Sequence, residues 1–124
     1  MTQSDPDFRS RCSIARSLEI LGDKWTLLVV RDLMWHGKHT FQALAGSEEH
    51  VPTNILAARL KRLEAQGLIC KTPYQKRPLR HRYDLTDFGR SLEPVLLELM
   101  DWGHGHLGGG HFDPVSGESA PARA

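Results

Sequence analysis

At 124 residues the chain has room for one domain with tails and a modest core. Its composition, 40% hydrophobic and 25% charged, is that of an ordinary globular protein. No apolar run approaches the ~20 residues of a membrane span, and the polar first eleven residues lack the apolar stretch of a signal peptide. The expectation is a cytoplasmic protein with no membrane partner. The net charge of +1 conceals a strong polarity. Between Pro52 and Tyr83 stand eight Lys/Arg and a single acid, whereas the remainder carries eight bases and fourteen acids. That split suggests a polyanion partner on one side, against the plainer reading of a solvated basic face.

In chain order, residues 1–11 read as a flexible arm. Ile14, Leu18 and Leu21 recur at helical spacing over 13–21, and Gly22 is a stop. Asp23 is placed to cap a helix over 24–35, with Trp25, Leu28, Val29 and Leu33 on one side and Gly37 ending it. Thr40 is placed to cap a short helix over 41–45 that turns Phe41 and Leu44 inward. Residues 46–50 read as a turn in which Glu48 and Glu49 are solvated.

Residues 51–86 form the centre of the chain. On a helical wheel Leu56, Leu60, Leu63 and Gly67 share one side, and Asn54, Ala58, Lys61 and Ala65 the other. Small residues allow close approach to a groove. Asn offers paired donor and acceptor groups to an adenine edge, and Lys reaches guanine or phosphate. Thr53 at the helix start can hold a phosphate. Strands are expected over 68–74 and 79–85, joined by the basic tip 75–78. Pro73 and Pro78 restrict them to a two-stranded edge ribbon. Short helices, a turn, a longer helix and a basic hairpin make a mainly α fold with a small β-hairpin wing, the winged helix-turn-helix. Thr53, Asn54, Ala58, Lys61 and Arg62 on the helix, with Lys76, Arg77 and Arg80 on the wing, are the candidate DNA contacts.

Thr86 is placed to cap the last helix. Leu92, Val95, Leu96, Leu97, Leu99 and Met100, with Trp102 beyond, cover too much of its circumference for one small domain. A second subunit is the natural cover. Pro94 should kink this helix or separate a first turn at 87–90 from the main body. Residues 108–124, opening on three glycines, read as a disordered tail behind a domain of 12–107.

With these residues in place, the chain from Cys12 to about Leu107 resembles the HxlR-type winged-helix transcriptional regulators, relatives of the MarR type. The matching pieces are Cys12, LGDKWTLLVVRDL (21–33), Phe41 with Leu44, ILAARLKRLEAQGLI (55–69), RPLRHRYDLTDFG (77–89) and LEPVLLELMDWG (92–103). The resemblance implies DNA-binding homodimers that repress or activate, joined through their first and last helices. Ile14, Leu18, Leu92, Val95, Leu96, Leu99 and Trp102 are then the candidate dimer contacts. Three positions depart from the family pattern. Thr40 stands where Arg is common, Pro52 where Ser is common and Arg82 where Glu is common. The first removes a phosphate contact, the second leaves Thr53 to share the capping, and the third makes the wing more basic.

Cys12 lies where redox-responsive members of the family place a sensing thiol. Arg9, Arg11 and Arg16 are near enough in sequence to favour its thiolate. An intersubunit Cys12–Cys12 bond or a mixed disulfide stands against a packed, silent thiol. Cys70 reads as strand packing. His104, His106 and His111 are clustered on glycines that leave them unsupported as metal ligands. No nucleophile motif, phosphate-cradling loop or spaced carboxylate pair is present, so neither an enzyme nor a bound cofactor is expected. The expected function is sequence-specific DNA binding by a homodimer on a pseudo-palindrome. A small-molecule or oxidant effector is a further partner, with a pocket between the dimer helices and the DNA-binding lobe as the place for an aromatic one. The alternative is a winged-helix module that binds another protein.

Overall fold

A computed structural model describes residues 8–123. Most of the expected N-terminal arm, residues 1–7, and residue 124 lie outside the described residues. The order is α1 (Ser13–Leu21), α2 (Thr26–Trp35), α3 (Phe41–Ala45), α4 (Thr53–Ala65), β1 (Ile69–Lys76), β2 (Leu79–Leu85), α5 (Asp87–Arg90), α6 (Glu93–Leu107), β3 (His111–Phe112) and β4 (Ser119–Ala120).

Local chemistry sets most of these boundaries. Asp23 Oδ1 accepts from the backbone N–H groups of Trp25 at 2.8 Å and Thr26 at 2.9 Å. This holds the chain in a cap, so α2 begins at Thr26 and not at Lys24. The Thr40 hydroxyl accepts from Ala43 N–H and starts α3, and the Thr86 hydroxyl accepts from Gly89 N–H and starts α5. Gly37 and Gly67 end α2 and α4 with φ of 63° and 78°, a region that side-chain-bearing residues rarely adopt. Pro94 falls in the first turn of α6, where its missing N–H costs nothing, and so separates α5 from α6 without kinking either.

The core lies where α2, α3, α4 and the wing base meet. Val30, Leu44, Leu56, Leu63, Leu68 and Ile69 are its most deeply buried side chains. Each contributes roughly 1.5–3 kcal/mol by leaving water. Gly89 is buried because α5 passes directly over the Leu68 carbonyl, which a Cβ there would strike.

Strands β1 and β2 pair antiparallel from Ile69↔Leu85 to Lys76↔Leu79, with a bulge between Pro73 and Gln75. The linker before α3 extends the ribbon, since Tyr83 N–H donates to the His39 carbonyl at 2.8 Å. The whole is a winged helix-turn-helix, with α3 and α4 followed by the β1–β2 wing.

Residues 108–123 depart from the expected disorder. β3 and β4 pair as a short ribbon, His111↔Ala120 and Phe112↔Ser119. Phe112 packs against Trp35, and the Arg123 guanidinium donates to the His104 carbonyl at 2.6 Å. The Gly-rich composition suggests a free tail, but a single aromatic with a place to dock outweighs it.

Candidate nucleic-acid interface

Helix α4 buries Leu56, Leu60 and Leu63 and exposes Thr53, Asn54, Ala58 and Lys61. The predicted outward face is therefore the solvent face. Pro52 is the N-cap and supplies no side-chain hydrogen bond. Thr53 sits one residue too late to cap, so its expected share in the capping is not realised.

The eight bases of the central stretch divide into two groups. Arg59 faces Asp23 at 3.5 Å, Lys71 faces Glu64 at 3.9 Å, and Arg82 Nε grips the Asp84 carboxylate at 3.0 and 3.2 Å. Arg62 donates to the Glu19 carbonyl at 2.6 Å. Lys61, Lys76, Arg77 and Arg80 are exposed and make no ion pair among the described residues. Arg62, an expected DNA contact, is exposed and ties α4 to the end of α1 through one guanidinium nitrogen. One expectation is corrected. Arg82 adds little positive charge to the wing, because Asp84, two residues away on the same strand face, neutralises it.

A polar network missed in the sequence sets the start of α4. Arg31 donates to both carboxylate oxygens of Glu49, at 2.8 and 2.9 Å, and its Nε donates to Asp32 at 2.9 Å. Asp32 is buried and accepts from the Ser47 hydroxyl at 2.5 Å, which in turn accepts from Lys38 Nζ at 2.9 Å. The paired bonds from Arg31 hold the Glu49 carboxyl below the ordinary range, against the opposing effect of burial. So Glu49 is not merely solvated. It anchors the turn that leads through His50, at φ 58°, into α4. The one sequence signal was Asp32, an acid within the apolar run of α2.

Cys12 is exposed at the N-cap of α1. Hydrogen bonding from the backbone N–H groups of Ala15 and Ile14 lowers its thiol below the usual cysteine value. Two of the three nearby arginines are engaged elsewhere. Arg16 donates to the Ser10 carbonyl at 2.7 Å and Arg9 pairs with Glu19 at 3.4 Å. Cys70 is exposed too, not packed, with its sulfur 3.7 Å from the Asp84 carbonyl. Among the described residues no three His, Cys, Asp or Glu gather as a metal site. His104 and His111 lie edge to face with centroids 5.3 Å apart, but His111 is bound to Asp101 and His104 to the Gly109 carbonyl. No helix among the described residues is long and apolar enough to cross a membrane.

Of the candidate dimer contacts, Ile14, Leu18, Val95, Leu99 and Trp102 are 44–71% exposed. Leu96 is only 7% exposed and Leu92 packs partly against the same core. These two serve the chain's own core, because α6 turns that edge toward α2.

The family model described as HxlR-like helix-turn-helix matches residues 20–110. The chain belongs to the HxlR family. A Mycobacterium tuberculosis relative named as an uncharacterised HTH-type transcriptional regulator is 39% identical over 95 residues, 77% of this chain and 59% of its own length. This chain thus spans about three fifths of that relative. Among solved structures, the HTH-type transcriptional regulator YtcD superposes with a TM-score of 0.70 at 32% identity, over 77% of this chain and 97% of that one; the YtcD relative comes from Bacillus subtilis. The redox regulator HypR in its reduced form gives 0.68 at 30% identity, over 77% and 94%. In HxlR terms the α3–α4 pair is the helix-turn-helix and β1–β2 the wing.

Proposed function

We propose that this HxlR-family chain is a sequence-specific DNA-binding transcriptional regulator that acts as a homodimer on a pseudo-palindromic operator. The observation that supports this best is the division of its bases. Those that are internally paired hold the fold together, and those left exposed lie on the outward face of α4 and the tip of the wing. In this reading Asn54, Ala58 and Lys61 approach base edges, while Thr53, Lys76, Arg77 and Arg80 hold phosphates. The dimer is supported by α1, none of whose residues is buried. A nine-residue helix with so little cover is marginal alone. Its exposed Ile14 and Leu18, with Val95, Leu99 and Trp102 of α6, supply an apolar face for a second copy. Half-sites then lie about one helical turn, ~10 bp, or a multiple of it apart. The test is a mobility shift on duplex from upstream of its own gene against random duplex. Asn54→Ala is expected to reduce the preference between them by about tenfold while retaining random binding. Equal loss on both duplexes removes Asn54 from base readout.

Redox control at Cys12 is the finer part of the proposal, supported by the exposed, lowered thiol and the likeness to HypR. Its thiolate attacks a disulfide-class oxidant, forming a mixed disulfide and expelling the other thiolate. Treatment with such an oxidant is expected to change DNA affinity in the wild type and not in Cys12→Ser. An equal response in both removes Cys12 from the switch.

A further inference from the structure

A cavity of about 470 Å³ opens between α2, the linker at His39, the base of β2 and the α5–α6 junction, within the size range of small-molecule sites. Its floor is aliphatic, made by Leu33, Met34 and Leu85. Its walls are charged: Arg82 and Arg90 stand around it with Asp84 and Glu93. With His39 neutral, the space has no net charge but separate poles.

Internal pairing leaves one pole of each sign. Arg82 Nε holds both Asp84 oxygens, and His39 Nδ1 stands 3.3 Å from the same carboxylate while it donates to the Tyr83 carbonyl at 2.9 Å. Asp84 is thus engaged from two sides. Glu93 is half-buried, accepts from the Trp35 indole N–H at 3.0 Å and makes no ion pair among the described residues. Arg90 faces Asp87 at 3.6 Å, and because that carboxylate is fully exposed the pair holds it weakly. A charge partly removed from water without a counter-ion is stabilised by any opposite charge that reaches it. A simple anion gains Arg90 but meets Glu93, and a simple cation gains Glu93 but meets Arg90. A zwitterion satisfies both, and the aliphatic floor accepts an apolar side chain. An α-amino acid carries its ammonium, its carboxylate and its side chain on one carbon.

We propose that this cavity binds a free α-amino acid with an aliphatic side chain, its carboxylate on Arg90, its ammonium on Glu93 and its side chain over Leu33, Met34 and Leu85. The β2 wall of the cavity belongs to the wing, which is tied to the linker where Tyr83 N–H donates to the His39 carbonyl. Occupancy therefore sets the wing base against α6. This link to the wing rests on the DNA-binding reading; the site itself does not.

Calorimetric titration of the full chain without DNA tests the site. The probes are L-leucine and two analogues with one charge each: 4-methylpentanoate, which lacks the ammonium, and 3-methylbutylamine, which lacks the carboxylate. Saturable binding of L-leucine with a Kd of about 1 mM or tighter is expected, with both analogues weaker by about tenfold or more. Arg90→Gln and Glu93→Gln should each weaken L-leucine by a similar factor. Arg90 is exposed and Glu93→Gln keeps an acceptor for the Trp35 indole, so both variants should keep the wild-type thermal transition. No binding of L-leucine, either analogue binding as tightly, or unchanged affinity in either folded variant overturns the site. For the link, saturating L-leucine should shift the midpoint of a DNA titration about fivefold or more in the wild type and less than twofold in Glu93→Gln. Equal shifts overturn the link. Failure to bind any DNA overturns the DNA-binding reading and leaves the leucine titration to decide the site.

Discussion

Glu49 shows how much depends on a single carboxylate. Its folded-state pKa is depressed, so it stabilises the fold above its unfolded value of about 4.3, and that contribution is lost as pH falls through the folded value. Glu49→Gln is expected to cost about 1 kcal/mol near pH 7, discounted for the partial exposure of the pair. The gap should narrow as pH drops toward 3. Denaturant unfolding of both proteins at the two pH values checks this, and a gap of constant size would contradict it. The caps at Asp23, Thr40 and Thr86 were readable in the sequence because each acts over three residues. The Arg31–Glu49 pair joins positions eighteen residues apart, and no local pattern announces it. The same holds for Arg62, whose acceptor is a backbone carbonyl 43 residues away.

For elements, α4 is the clearest case. Its inward leucines and outward face follow from a 3.6-residue period, and the structure keeps both. Periodicity could not separate Lys61 from Arg62, which are neighbours in sequence. Lys61→Ala should weaken DNA binding and leave stability within about 0.5 kcal/mol, as for an exposed side chain. Arg62→Ala should lower stability by about 1 kcal/mol, since it releases α1 from α4. Unfolding curves with DNA titrations for both variants distinguish these roles; reversed effects would contradict the assignment. The C-terminal ribbon was illegible for a different reason. Its glycines raise the entropy of the free chain, and only the tertiary position of Trp35 and His36 gives Phe112 a place to dock.

The apolar excess of α6 was visible across the molecule as a count, but its division was not. Leu96 turns into the chain's own core, whereas Val95, Leu99 and Trp102 remain outside. On the proposed dimer, Leu99→Lys should sediment as a folded monomer at concentrations at which the wild type sediments at twice that mass. Leu96→Ala should instead cost roughly 2–5 kcal/mol of fold stability. A dimeric Leu99→Lys protein would place the interface elsewhere. The charge division is likewise a property of the whole molecule: sequence shows eight bases together, and only the fold shows which are already paired. Whether the unpaired ones grip DNA is read from the salt dependence of operator affinity in the wild type and in Lys76→Ala/Arg77→Ala/Arg80→Ala. Affinity should fall steeply with salt in the wild type, and the variant's slope should be flatter by about 0.9 for each phosphate contact removed. An unchanged slope in the folded variant would contradict it.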